Sequence, residues 1–343
     1  MFRHVITYFV IFISFFSHDL YASTNDSSLD FDDASLQHHL ILPDWFKLSF
    51  LDLQDSIDEA KSNNHGLIIY FERKNCAYCK AQLTINWGMA DIVDYTKQHF
   101  DVIAIDVRGQ RTVTDFNGDT YSEDEYAAKM KTNFTPSFLF FDKQGQPALQ
   151  LYGYRPPYQF RAALEYVSDG HYKKENFRQY LARAEEAMSF GQDELNDNDV
   201  FELKQSITDL NRQQQPANKP LAVFFEHPKC HACDVLHAGP MNESEIIDRL
   251  MKMRVIQIDT TSSANVITPL GIKTTNKSWA ETLQLSFAPS IIFFDNNGKE
   301  IIRIESVVKF NRLKNILEYV LDEGYKSYPT FQLWRDRKTH EHR

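Results

Sequence analysis

The chain carries little cysteine: four residues in 343, all of them in two Cys-x-x-Cys pairs, Cys76/Cys79 and Cys230/Cys233. That argues against a disulfide-stapled scaffold, because structural bridges gain most by closing long loops and each pair encloses two residues. Positive charge is also short. With 37 Lys+Arg against 47 Asp+Glu the net charge is −10, so no basic stripe is available to neutralise phosphates and no nucleic-acid partner is expected. Beyond residue 16 no apolar run approaches the roughly 20 residues of a spanning helix, so no stable membrane anchor is expected. Neither Cys79 nor Cys233 is followed by histidine, which removes haem attachment, and no pattern here calls for another cofactor.

What is present begins at the N-terminus. Arg3 and His4 precede the apolar run 5–16 (VITYFVIFISFF), and small Ala22 follows shortly after, the pattern of an export signal cleaved near Ala22. No cysteine stands near that point, so a lipoprotein anchor is not expected. Residues 1–22 are therefore expected to be a signal peptide and 23–43, polar and acidic, a loosely packed leader. Export to the periplasm, or secretion, places the cysteines where disulfides persist.

The rest of the chain alternates helical and extended patterns. Apolar spacing predicts a helix over 45–61, and the unbroken β-formers LIIYF (67–71) predict a buried strand. A helix from Cys79 to about 100 with a break at Trp87-Gly88, a strand at 101–107, a polar excursion at 108–120 and a helix at 122–131 follow. Strands at 137–141 and 147–152 and a helix at 157–168 close the unit. The expected fold class is α/β, a central mixed sheet flanked by helices, and the plan occurs twice.

The repeat shows in the spacing. The cysteine pairs are 154 positions apart, while Asp106/Asp259, Pro136/Pro289, Asp142/Asp295 and Gly145/Gly298 are each 153 apart. A tandem duplication is the economical reading. It gives a first domain at 44–180, a helical or polar linker at 181–219, a second domain at 220–335 and a tail at 336–343.

In each copy the first cysteine follows a strand and opens a helix, where free backbone N–H groups and the helix dipole favour a thiolate. Cys76 and Cys230 are thus expected to attack, and Cys79 and Cys233, one turn deeper, to resolve. The residues between them, Ala77-Tyr78 and His231-Ala232, tune the pairs. Glu72 and Glu226, each four before the first cysteine, are candidate proton shuttles set against the simpler reading of solvated strand ends. His227, His231 and His237 beside Cys230 and Cys233 admit a second reading, a copper or zinc site, although a redox pair is preferred and no metal ligand is assigned.

A strand leading to Cys-x-x-Cys at a helix start, with a proline opening a later strand, resembles the thioredoxin superfamily over residues 45–334, in two copies. The resemblance implies cis prolines at Pro136 and Pro289 lying beside the cysteines, with the backbone of Thr135 and Ala288 offered to an extended substrate. Where many thioredoxins carry a buried acid six residues before the first cysteine, this chain has Tyr70 and Phe224.

The first copy is similar to the periplasmic SoxW-type group in Val113-Thr114-Asp115-Phe116 with Gly118, Thr135-Pro136-Ser137-Phe138, Phe140-Phe141-Asp142 with Gly145, and Gly153-Tyr154 with Pro157 and Phe160. The function implied is an exported thiol-disulfide oxidoreductase, a reductase or isomerase before an oxidase. Its substrates would be protein disulfides and thiols, and a membrane thiol-electron transporter or other redox partner would recharge it. The alternative class is a non-catalytic binding module or copper chaperone using Cys230, Cys233 and the nearby histidines.

Because His231 stands beside the second nucleophile, the second site is expected to be the more oxidising. Redox potentials measured on single-site Cys→Ser variants check this, and a second site equal to or more reducing than the first rejects it.

Overall fold

In each half a run of β-formers too apolar to face water on either side becomes the middle of a sheet. The computed structural model describes residues 27–38, 40–185, 194–202, 207–213 and 217–341. The expected signal peptide (1–22), positions 23–26 and 39 of the expected leader, 186–193, 203–206 and 214–216 of the expected linker and 342–343 of the tail lie outside them. Among the described residues no helix is long and apolar enough to cross a membrane.

The first half runs α1 (Leu53–Ser62), β1 (Gly66–Glu72), α2 (Ala77–Ala81) continued by a π-helical turn (Gln82–Asn86), α3 (Ala90–His99) and β2 (Phe100–Asp106). A hairpin of β3 (Thr112–Thr114) and β4 (Thr120–Ser122) leads to α4 (Glu123–Lys129), then β5 (Ser137–Phe141), β6 (Pro147–Tyr152), α5 (Pro157–Ser168) and α6 (Phe177–Glu185). The sheet order is β2-β1-β5-β6, with β1 parallel to β2 and antiparallel to β5. Every residue of β1 is buried. By the two-residue strand period, Ile68, Tyr70, Phe138 and Phe140 face one core, and Leu67, Ile69, Phe71, Leu139 and Phe141 the other.

The second half begins with β7 (Ile207–Asp209), followed by β8 (Leu221–Glu226), α7 (His231–Ala238), α8 (Ser244–Leu250), β9 (Arg254–Asp259), β10 (Asn265–Ile267) and β11 (Lys273–Thr275). It ends with α9 (Asn276–Thr282), β12 (Ser290–Phe294), β13 (Glu300–Ile304), α10 (Phe310–Leu321) and α11 (Phe331–Glu341). Its sheet, β13-β12-β8-β9, has the plan of the first. Both β5–β6 and β12–β13 turn on an Asx motif: Asp142 Oδ1 accepts from Gln144 N and Gln146 N, and Asp295 Oδ1 from Asn297 N and Lys299 N. Gly145 (φ 76°) and Gly298 (φ 81°) supply the positive φ those turns need.

Several expectations are corrected. The helix expected from residue 45 starts at Leu53, capped by Asp52, whose carboxylate accepts from Gln54 N and Asp55 N. Before it Phe50 is fully exposed while Leu51 turns inward with φ 62°, so the apolar spacing there is not helical. The polar excursion holds the β3–β4 hairpin. The linker is only partly a linker, because α6 runs past residue 180 and β7 pairs in parallel with β10, burying Leu210 and Arg212 in the second half. The tail from 336 continues α11, and Lys338 bonds Glu318 and Asp322.

The leader is not loosely packed in its described part. Ser28 and Leu29 are buried, Phe31 packs edge-on against Tyr78 and Tyr154, and Leu36 N donates to Asn75 O. Asp33 accepts from Tyr78 Oη and, across the domains, from the N-terminal Asn311 N and Arg312 N of α10.

The two halves meet reciprocally. Phe134 lies in the core of the second domain, and Phe287, its repeat partner, with Val307 in that of the first. An arginine from the opposite domain covers each ring: Arg312 over Phe134 at 5.3 Å and Arg155 over Phe287 at 5.0 Å. Asn133 Oδ1 and O accept from Phe331 N and Gln332 Nε2 of α11.

The fold depends most on apolar burial in these cores. Phe160 is fully buried against Trp87 and Phe138, so Phe160→Ala should cost about 3–5 kcal/mol of stability by denaturant unfolding. A loss under about 1 kcal/mol would contradict this packing.

Candidate active site

Each cysteine pair is placed by the strand before it and the helix it opens. β1 ends at Glu72 and β8 at Glu226, and a short loop brings the chain to Cys76 or Cys230, the N-cap of α2 or α7. Cys76 Sγ accepts from Cys79 N at 3.0 Å, and Cys230 Sγ from Cys233 N at 3.1 Å. A sulfur thus takes the place an oxygen usually holds at a helix N-cap, directed at the unsatisfied N–H groups of the first turn. Both pairs are disulfide-bonded with Cα atoms 5.2 Å apart. Cys79 and Cys233 are wholly buried, while Cys76 and Cys230 retain 3% and 6% exposure.

The Thr135–Pro136 and Ala288–Pro289 peptide bonds are cis. At the first site the loop before the proline meets the sulfur: Cys76 Sγ lies 3.3 Å from Thr135 Oγ1 and 3.6 Å from Thr135 O. Ala288 has no hydroxyl with which to repeat that contact. The Thr135 carbonyl is already taken, since Arg312 Nη2 of the second domain donates to it at 2.8 Å. Ala77 and Tyr78 are buried, and Tyr78 Oη accepts from Lys309 N while donating to Asp33. His231 and Ala232 are half-buried, and Ala232 packs with Val235 against the core of the first domain.

The acids behind the pairs differ. Glu72 and Glu226 are both buried, 8% and 0% exposed, which corrects the reading of solvated strand ends. At Glu72, burial first and then the charges of Asp106 and Glu123 push its carboxyl up to about 7. Glu226 accepts from His237 Nε2 at 3.0 and 3.2 Å and from Gln257 Nε2 at 2.9 Å. His237 stands one helical turn beyond Cys233, on the same side of α7. The histidines do not converge on the cysteines: His227 Nδ1 lies 2.7 Å from Pro228 O, and His237 is held by Glu226. Among the described residues no group of three or more His, Cys, Asp or Glu is placed to hold a metal.

Residues 53–168 and 209–321 match the model of the thioredoxin-like domain family. The chain belongs to the thioredoxin-like family. Two such domains, each with a Cys-x-x-Cys pair at bonding distance, make it a thiol-disulfide oxidoreductase. No curated protein sequence matches the chain. Among solved structures it is similar to a thioredoxin-fold protein from Helicobacter pylori, at 22% identity and a TM-score of 0.29, over 48% of this chain and 91% of that one. A thioredoxin from Thermus thermophilus is similar at 22% identity over 34% of this chain and 83% of that one, with a TM-score of 0.27. A DsbH oxidoreductase is similar at 12% identity over 40% and 95%, also with a TM-score of 0.27.

The sequence missed the residues that cross between domains. Phe134 and Phe287 carried a signal, since they keep the 153-residue repeat and stand two before each proline. Arg312 carried none, because its repeat position is Gln159.

Glu72 yields a pH prediction. Its carboxyl is raised from 4.5 to about 7 in the folded protein, so the native state holds a proton that the unfolded chain releases earlier. Its contribution is fully present below about pH 4.5 and is lost as pH rises through about 7. Glu72→Gln should therefore flatten the decline in stability across that window and leave the variant the more stable above it. Denaturant midpoints from pH 4 to 8 check this, and parallel curves for the two proteins would refute it.

Proposed function

We propose that the protein is an exported thiol-disulfide oxidoreductase acting on protein substrates, in which Cys76 and Cys230 attack and Cys79 and Cys233 resolve. The observation that carries the reading is the helix-capping position of each first sulfur, which bonds the N–H of its own partner cysteine. In the reducing direction the Cys76 thiolate attacks one sulfur of a substrate disulfide, forming a mixed disulfide and releasing the other substrate sulfur as a thiolate that takes up a proton. The Cys79 thiolate then attacks Cys76 Sγ, reforming the Cys76–Cys79 bond and releasing the second substrate thiol. Two electrons leave the pair, and an external dithiol, membrane-borne in this reading, restores them.

The N-terminal run 5–16 favours export, and the SoxW-type stretches of the first copy favour reduction or isomerisation over oxidation. Cys76 and Cys230 keep 3% and 6% exposure, so a protein substrate reaches each sulfur once the surface directly over it opens locally. The first domain is the principal site. There the sulfur meets the Thr135 hydroxyl as well as the helix N-terminus.

Insulin-reduction and scrambled-ribonuclease assays test the reading. Turnover should fall to background with Cys76→Ser plus Cys230→Ser, and most of it with Cys76→Ser alone. Cys79→Ser plus Cys233→Ser should instead trap mixed disulfides with substrate. Absence of turnover in the intact protein, together with stoichiometric copper binding that needs His227 or His231, would replace this reading with the metal-binding one.

A further inference from the structure

Arg312 projects from α10 of the second domain into the first domain's site, where the residue is 8% exposed. Nη2 bonds Thr135 O at 2.8 Å, the oxygen that lies 3.6 Å from Cys76 Sγ, so those two legs end to end are the greatest separation of cation and sulfur. The guanidinium lies over the Tyr78 ring at 3.3 Å, on a residue between the two cysteines. Among the described residues no acceptor reaches its buried Nη1. An unsatisfied donor on a buried charge costs more than one on a neutral group, so the position is expensive while the disulfide is closed.

Opening the disulfide supplies what this cation lacks. A thiolate at Cys76 is an anion in a site of low dielectric, where a neighbouring cation acts more strongly than in water. We propose that Arg312 stabilises the Cys76 thiolate across the domain boundary, so that the first redox site is completed by the second domain. This rests on the reading that Cys76 is the attacking sulfur, and it names the residue in trans that makes it one.

The other charged groups around Arg312 are few. Asp33, from the leader, carries the opposing charge and is itself held by Asn311 N, Arg312 N and Tyr78 Oη. Tyr78 faces the guanidinium from α2, and burial keeps its hydroxyl protonated well above the usual range. Lys309 is occupied by Leu29 O, and Arg155 by Ser286 O and Oγ. On the loop before Cys76, Arg73 faces Asp336, and Lys74 acts on Glu72 and Asp106.

The test uses the full chain with Cys230→Ser and Cys233→Ser, reduced, and follows the rate of iodoacetamide alkylation of Cys76 against pH. Arg312→Met keeps the apolar stem and removes the charge. It should raise the alkylation midpoint by a unit or more, a tenfold loss of thiolate below the midpoint. Arg312→Lys should restore much of the shift, and Asp33→Asn, which keeps a capping oxygen and removes the opposing charge, should lower the midpoint. A purely structural role would move the Met and Asn variants alike. An unmoved midpoint in Arg312→Met, or shifts of the same sign in both, overturns the proposal. Should Arg312→Met fail to fold, as read by near-ultraviolet circular dichroism, Asp33→Asn decides: a lowered midpoint supports the cation, and an unmoved or raised one overturns it. Full turnover in Cys76→Ser would instead remove the reading beneath the proposal while leaving the measured midpoints standing.

Discussion

The Thr135 carbonyl oxygen lies 3.6 Å from Cys76 Sγ and accepts from Arg312 of the other domain at 2.8 Å. One backbone atom thereby ties the redox sulfur, the cis-proline loop and the second domain together. Much of the seam is built around that point. Phe134, the residue before it, enters the core of the second domain under the Arg312 guanidinium, and Asn133 bonds α11. Tyr78, on the other side of the sulfur, joins Asp33 of the leader to the start of α10. Cys76, 3% exposed, thus sits where the first domain, the leader and the second domain are tied together.

The two sites have drifted into different physical regimes on one plan. In the first, a carboxyl that has no basic hydrogen-bond partner among the described residues is buried beside Asp106 and Glu123, and its pKa is raised to about 7. In the second, the corresponding carboxylate is anchored by His237 and Gln257, at positions where the first copy has Leu83 and Ala104. A cation near the sulfur favours the reduced pair by favouring its thiolate, so Arg312 pushes the first site in the oxidising direction, as His231 was expected to push the second. The order of the two potentials is therefore a contest between a buried guanidinium and a half-buried imidazole.

Local chemistry was legible in the sequence, and contacts between distant segments were not. Strands 137–141 and 147–152 and the helix 157–168 have the limits the sequence predicts, because β-formers, a Gly turn and a proline at the helix start all act within a few residues. The duplication was legible because turns and cysteines keep their spacing even as side chains change. The helix expected from residue 45 failed because Leu48 and Phe50 are exposed while Leu51 is buried, a pattern that resembles helical periodicity only in outline. The leader's polar composition predicts a loose segment, yet its few apolar residues and Asp33 find partners supplied by α2 and α10. Arg312 was invisible because nothing local marks a surface-type residue as the one that crosses a domain boundary.

The central claim is that both buried pairs open and close reversibly in the folded protein, rather than serving as fixed bridges. The direct measurement equilibrates the native chain with graded glutathione buffers, quenches with an alkylating agent and weighs each cysteine-containing peptide. The account predicts that Cys76/Cys79 and Cys230/Cys233 each take up two labels along a two-electron curve that is the same in both directions, with the fold retained throughout. A pair that accepts label only after denaturation would be a structural bridge, and the account of that site would be wrong.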